Sequence, residues 1–346
     1  MRDAGCDAEE SVMFRATASE KTSPMSGLDV LRIGAVLLVT AQHALSLTRH
    51  NDWSSFRSLN VGQVGVTIFL GISALLGNTS RRRPVEWLVQ RLRRLFPAYW
   101  LVMIVCFLLA WATSYKKFTP GQVVSQMLGT GFLTHPDSLV NVATWFITLL
   151  LVCYVCLFFA RVVNRPVLVP LLLIFATILY AGLTDRLWPH GRYWSWMHTT
   201  TFFACSVLAT ACPANRRMQG FLAAGIVVLL GAPFSIAFVY TGLTLVLVGA
   251  SLGIPEVPRV VHTVASYSYE YYLIHGIFLI ATTRALRGYP VLAVVCGVSL
   301  AALASVPLQK TVRYPWAETI RDSWTLHRSS RHRAPGPSTV GSSSES

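Results

Sequence analysis

The chain is written in long apolar blocks separated by short polar, proline-rich or arginine-rich stretches, not in the short amphipathic periods of a water-soluble domain. Blocks of about 17 to 25 apolar residues match the length a helix needs to cross a bilayer. Gly, Pro and charge clusters divide the sequence into candidate spans near 28 to 48, 61 to 77, 95 to 113, 139 to 160, 166 to 184, 196 to 212, 219 to 234, 236 to 252, 262 to 283 and 290 to 309. This pattern predicts an all-α, polytopic membrane helical bundle of about ten transmembrane helices. The seventh and eighth segments are separated only by the break at Gly231 and Pro233, which leaves open two helices or one kinked helix. Segment 120 to 133 is too short to span and is expected at the interface. The membrane domain is taken as residues 27 to 312. A polar tail over 1 to 26 and a Ser/Gly/Pro-rich tail ending at 346 flank it, both expected in the cytoplasm, the first disordered and the second, from 313, largely so.

Composition supports the same class, with 53% hydrophobic and 13% charged residues. The net charge of +14 raises nucleic acid as a partner, but the charges cluster in short loops and the C-terminal tail, where insertion topology puts them. Placing the N-terminus in the cytoplasm leaves 20 Lys and Arg inside and 8 outside, with Arg32 within the membrane. That bias predicts an N-in, C-in bundle and no nucleic acid partner. A secretory signal peptide is not expected, because the first 26 residues carry Asp3, Asp7, Glu9, Glu10 and Glu20 and the first apolar block is long enough to span. The seven cysteines are an odd number and mostly fall in or beside apolar segments, so no disulfide framework is expected. Cys153 and Cys156 have C-x-x-C spacing with no second ligand pair, which reads as packing; no metal site is expected.

Candidate chemistry begins in the first block, LDVLRIGAVLLVTAQHALSLT, where Arg32 and His43 lie eleven residues apart. Ionisable groups are costly within a membrane span and mark functional positions. Eleven helical steps return a side chain to within about 20° of its starting direction, about 16 Å further along the axis. Both groups are therefore predicted on one stripe. Arg32 is equally served by snorkelling to headgroups or by pairing with Asp29 at i, i+3. His43 lies too deep to snorkel, and its ring nitrogens need polar partners; it is either a satisfied structural histidine or a general base for a substrate hydroxyl. The second block carries Gly62, Gly65, Gly71 and Gly77, read as close helix packing or as the wall of a substrate tunnel. The following stretch, TSRRRPVEWLVQRLRRLFPAYW, holds six arginines and ends at Pro97, which is read as opening the next helix. Those arginines serve as topology signal or as a cytoplasmic phosphate-binding surface.

Taken together and in order, these segments resemble the acyltransferase 3 family of integral membrane acyltransferases. The family's L-D-x-L-R start and the histidine eleven residues on are similar to LDVLRIGAVLLVTAQH; its glycine-rich second helix is similar to GQVGVTIFLGISA; its arginine loop is similar to RLRRLFPAYW. Its tryptophan element resembles TWFITLLLVCYV, and its late S-Y-x-x-Y-L-x-H element resembles SYSYEYYLIH, ending at His275. The resemblance implies transfer of an acyl group, usually acetyl, from acyl-CoA to a hydroxyl of a carbohydrate, a lipid-linked glycan or a glycosylated small molecule. It implies His43 as catalytic base with Arg32 as its motif partner, and Arg91, Arg93 and Arg94, with Arg82, as holders of the nucleotide phosphates. His275, Glu270 and Tyr272, with Tyr267, are candidates for lining the acceptor route, although tyrosines near a helix end also serve as interface anchors. No permanently bound cofactor is expected; acetyl-CoA or another acyl-CoA is a co-substrate, and a multi-pass location in the inner (plasma) membrane follows. The chain departs from the family where many members carry a glutamate after the tryptophan element, since Leu149, Leu150 and Leu151 are apolar, and in Ala74, where glycine is common. The alternative reading is a multi-pass transporter or flippase, which would show paired broken helices in two repeated halves; one break and no repeat are visible.

Overall fold

The structure, a computed structural model, describes residues 26–48, 55–56, 59–80, 82–114, 116–184 and 193–331. Both ends of the chain thus lie partly outside the described residues, as does Arg81. The described residues form α1 (Ser26–Leu47), a two-residue antiparallel pairing of β1 (Ser55–Phe56) with β2 (Leu59–Asn60), then α2 (Val61–Asn78), α3 (Pro84–Ala112), α4 (Pro120–Met127) and α5 (Gly131–Thr134). Two short 3-10 turns, Pro136–Ser138 and Val142–Thr144, lead into α6 (Trp145–Val162), α7 (Leu168–Thr184) and α8 (Tyr193–Ala211). The chain continues through α9 (Arg217–Leu229), α10 (Ile236–Ser251), α11 (Arg259–Ser266), α12 (Ser268–Ala285) and α13 (Pro290–Arg331). Among the described residues, five helical stretches are long and apolar enough to cross a membrane: α1, α2, α3, residues Val142–Val162, and Pro290–Val312 of α13. Two more, Leu168–Tyr180 and Ile236–Ser251, are apolar but shorter. The protein is an all-α membrane protein.

The least exposed span is α2, because its glycines let neighbouring backbones approach. A Cβ at Gly65 would lie 2.4 Å from the Ala35 carbonyl oxygen of α1, and one at Gly71 would lie 2.9 Å from Thr244 Cγ2 of α10 and 3.1 Å from Cys205 Sγ of α8. Packing is therefore the role of these glycines, not the lining of a tunnel. Hydroxyls stitch the same interfaces, with Thr244 donating to Thr67 at 2.9 Å and Thr201 paired with Thr241 at 2.9 Å. At the end of α2, Arg161 of α6 donates to the carbonyls of Gly77, Ser80 and Arg82 at 2.8, 2.9 and 2.6 Å, and its guanidinium lies 5.2 Å from the centre of the Trp87 ring. Those carbonyls belong to the helix end and the loop after it, where intrahelical donors run out.

Several boundaries differ from the sequence reading. The third helix starts at Pro84, not 95, and runs through the arginine cluster with Pro97 inside it. Pro84 occupies the first turn, where its missing N–H costs nothing, and the residues from Glu86 to Leu95 are good helix formers; one bond lost at Pro97 does not stop a helix of 29 residues. Residues 219 to 252 form two helices, α9 and α10. Ser235 caps α10 by accepting from the Ala237 N–H at 3.3 Å, and Gly225 and Gly242 bring the pair together, each so close that a Cβ would lie 2.9 Å from the other's carbonyl oxygen. The ninth segment breaks at Tyr267 into α11 and α12, and the last helix runs beyond 309 to Arg331. Residues 120 to 133 form the two short helices α4 and α5.

Candidate active site

Two cavities lie on either side of an aromatic partition. The first, of about 100 Å³, is narrow and opens among Arg32 of α1 and Arg91 and Arg94 of α3; Phe69, Phe146, Leu150, Tyr154 and Tyr272 line its interior. The second, of about 460 Å³, falls in the range typical of ligand pockets and lies toward the other ends of α1, α3 and α12. Tyr272 with Phe69 and Phe146 forms the partition, with ring centroids 6.0 and 5.3 Å from that of Tyr272. The Tyr272 hydroxyl donates to the Ala143 carbonyl at 3.0 Å, and Ala143 belongs to the wall of the larger cavity.

At the floor of the larger cavity, His43 of α1 meets His275 of α12. His43 Nδ1 is 2.9 Å from His275 Nε2, with the rings 7° from parallel, and His275 Nδ1 is 2.7 Å from the Tyr272 carbonyl oxygen. The proton positions follow from the chemistry of these partners. A carbonyl only accepts, so His275 Nδ1 carries a proton and, in the neutral ring, Nε2 is an acceptor. The bridging proton then sits on His43 Nδ1, which leaves the lone pair on His43 Nε2. Among the described residues His43 makes no other hydrogen bond, and its ring borders the cavity. A histidine whose tautomer is fixed in this way has the arrangement of a general base.

The wall opposite is held just as firmly. Gln126, 1% exposed, donates through Nε2 to the Ser138 carbonyl at 3.2 Å and accepts from the Val140 N–H at 2.8 Å. Asn141 Nδ2 donates to the Leu273 carbonyl at 2.9 Å, tying the segment to α12. The irregular stretch 138 to 144 thus satisfies its buried backbone groups through side chains, as non-helical backbone within a membrane protein must.

The narrow cavity is electropositive. Arg32 donates to Asp29 Oδ1 at 2.6 Å, and the other oxygen of Asp29 is 2.7 Å from His262 Nδ1 of α11. Both oxygens of Asp29 are thus engaged by Arg32 and His262, and Arg91 and Arg94 border the same cavity, whose lining includes no carboxylate. Arg91 also lies 5.9 Å from the ring centres of both Trp87 and Tyr154. This mouth has the charge to hold an anion and, behind it, a slot suited to an extended chain but not to a bulky group.

The residues named from sequence divide between these places. Arg32 borders the narrow cavity beside Ser268 and Tyr269 of α12, and His43 is bonded to α12 further along, so both face the same neighbouring helix but on opposite sides of the partition. Arg91 and Arg94 border the narrow cavity, whereas Arg93 and Arg82 are exposed outside it. His275 is buried behind His43, and Tyr272 divides the cavities. Glu270, 2% exposed, lies against Gln309 of α13 with 3.5 Å between Oε2 and Nε2 and borders neither cavity. Tyr267 joins α11 to α12. Sequence reasoning missed Asn141, Gln126, His262 and the aromatic partition. Only the aromatic residues within GQVGVTIFLGISA, TWFITLLLVCYV and SYSYEYYLIH carried a signal for the last.

Comparison with known families gives one result. A family model described as an acyltransferase domain matches residues 25–310, most of the chain. No curated protein and no solved structure matches.

Proposed function

This chain belongs to the acyltransferase 3 family, and from that premise we propose that it is an acyl-CoA-dependent O-acyltransferase that moves an acyl group, acetyl by default, to a hydroxyl of a carbohydrate-containing acceptor. In this reading ten helices span the plasma membrane, and both tails and the arginine-rich segment lie in the cytoplasm, in keeping with the excess of Lys and Arg assigned to that side. The donor's phosphates rest on Arg91 and Arg94 beside Arg32, and its pantetheine arm enters the narrow cavity and displaces the Tyr272 ring, so that the thioester passes the partition and arrives at His43. The acceptor occupies the larger cavity.

The observation that carries the proposal is the His43 to His275 bond, which leaves His43 Nε2 unprotonated at the cavity floor. His43 Nε2 takes the proton of the acceptor hydroxyl as its oxygen attacks the thioester carbonyl carbon. The tetrahedral intermediate collapses, the C–S bond breaks, and the proton on His43 passes to the departing thiolate. An ester and free coenzyme A result. The positive charge that His43 carries in between is shared through its Nδ1–H bond with His275, whose own Nδ1–H is anchored on the Tyr272 carbonyl. Arg32 acts on the donor side of the partition as a positioning residue.

The test uses purified protein in detergent with acetyl-CoA, and follows thiol release in the presence of membranes that carry the acceptor. The reading expects His43→Ala to lose activity by about 10²- to 10⁴-fold, the usual worth of a positioned base, while binding of acetyl-CoA is kept. Full activity in His43→Ala, or no binding of acetyl-CoA by the unaltered protein, rejects it.

A further inference from the structure

Acyl transfer at His43 creates a second charge besides that of the imidazolium. As the acceptor oxygen bonds to the thioester carbonyl carbon, the π pair of the C=O moves onto its oxygen, and an oxyanion forms in a cavity lined mainly by apolar side chains. A fixed hydrogen-bond donor aimed at that oxygen is usually the largest single contribution to the rate. His43 does not supply it, because Nδ1–H is committed to His275 and Nε2 to the proton of the acceptor.

Asn141 has the donor. It is 7% exposed and borders the larger cavity together with His43. Its amide oxygen accepts from the Ala143 N–H at 3.1 Å, and Nδ2 donates to the Leu273 carbonyl at 2.9 Å. An amide nitrogen carries two protons. The second has no acceptor among the described residues. Capping the turn that begins at Val142 does not explain it, since aspartate and serine cap as well as asparagine. Of these three only asparagine also offers a pair of N–H groups.

Two features place this amide at the reacting end of the cavity. The Leu273 carbonyl follows directly on that of Tyr272, which anchors His275 Nδ1–H, so one turn of α12 holds both the amide and the histidine pair. Asn141 also precedes the helical stretch Val142–Val162, whose first residues Val142 and Ala143 border the cavity, so the positive end of that helix lies at the same wall. The other polar groups there fit less well. Thr113 donates its hydroxyl proton to the Leu109 carbonyl at 2.7 Å, Ser46 is exposed, and Arg284 lies nine residues beyond His275 along α12, about 14 Å at the helical rise.

We infer that Asn141 is a catalytic residue that holds the oxyanion through its second Nδ2–H. The negative charge is stabilised while the C–O bond forms; the pair then returns to carbon, the C–S bond breaks, and sulfur leaves with the proton from His43. The inference rests on the reading of His43 as general base, and its test separates the two.

Purified protein in detergent is assayed for thiol release from acetyl-CoA with acceptor membranes, and for binding of acetyl-CoA and of a coenzyme A whose acetyl group is replaced by an anionic, tetrahedral methylphosphonyl group. Asn141→Ala is expected to lower kcat about 10²- to 10³-fold and to weaken the phosphonyl analogue by a similar factor, with acetyl-CoA affinity held within about twofold, which also reports folding. Asn141→Asp keeps the acceptor for the Ala143 N–H, so a purely structural role would make it milder than Asn141→Ala; with an oxyanion to hold, its carboxylate makes it at least as severe. A kcat for Asn141→Ala within threefold of the unaltered protein while His43→Ala is inactive overturns the inference and leaves the acyltransferase reading in place. Equal loss of affinity for the analogue and for acetyl-CoA, or an Asn141→Asp enzyme faster than Asn141→Ala, overturns it too.

Discussion

Removing the ring of His275 tests the proposed chemistry most directly, because His275 borders neither cavity and acts only through His43. His275→Ala deletes the acceptor for His43 Nδ1–H, 2.9 Å away, and with it the anchor on the Tyr272 carbonyl. His43 then loses both its fixed tautomer and the partner that shares its charge during the reaction. A hydrogen bond to a charged group contributes about 1.5 to 3 kcal/mol, which corresponds to about a 10- to 100-fold loss of kcat. The KM for acetyl-CoA should hardly change, since the arginines proposed to hold the donor border the other cavity. His275→Gln, whose amide oxygen reaches the position of Nε2 but cannot also bond to the Tyr272 carbonyl, should restore part of the loss. Adding His275→Ala to His43→Ala should cost almost nothing further, because the second residue acts through the first. Kinetics of thiol release for the four variants supply every number needed. Independent, multiplicative losses, or a KM effect without a kcat effect, would refute the relay.

Other outcomes follow from the same geometry. Arg91→Gln and Arg94→Gln should each raise the KM for acetyl-CoA about tenfold, near the lower end of what one charge-assisted hydrogen bond supplies, whereas the exposed Arg93→Gln and Arg82→Gln should stay within about twofold by the ordinary screening of surface charge; substrate titrations distinguish the two pairs. Gly65→Ala forces a Cβ to 2.4 Å from the Ala35 carbonyl oxygen and 2.8 Å from Val39 Cγ2, and should lower stability by about 1 to 3 kcal/mol, the usual cost of overpacking, read as a lower unfolding midpoint in detergent. Gly34→Ala, whose Cβ meets nothing within 4 Å, is the matched control and should be neutral or stabilising. Arg161→Gln should cost about 1 to 3 kcal/mol through the carbonyls it leaves without a donor, and Arg161→Lys should not restore it, because an ammonium lacks the planar fork that reaches all three.

The apolar blocks of the sequence determined the class, because length and hydrophobicity alone decide whether a segment suits a bilayer, and the ordered motifs determined the family. Arg32 and His43 were singled out because charged and imidazole groups amid apolar residues are costly enough to be conspicuous in one dimension, whereas Arg82, Arg91, Arg93, Arg94 and His275 were named through the motifs. The helix ends at Pro84 and Tyr267 were not legible, because Pro97 mimics a helix start inside α3 and the continuous SYSYEYYLIH run hides the break between α11 and α12. Nor was the division of labour among the polar residues. That Arg93 lies outside the cavity that Arg91 and Arg94 border, that Glu270 lies against Gln309, and that two histidines 232 residues apart share a proton depend on how α3, α12 and α13 are rotated against their neighbours. Rotation is set by side-chain packing summed over whole interfaces, with Gly65 and Gly71 fixing how closely α2 seats the rest. No single stretch of sequence contains that sum, so the chain names the reactive groups and only the assembled bundle decides which of them meet.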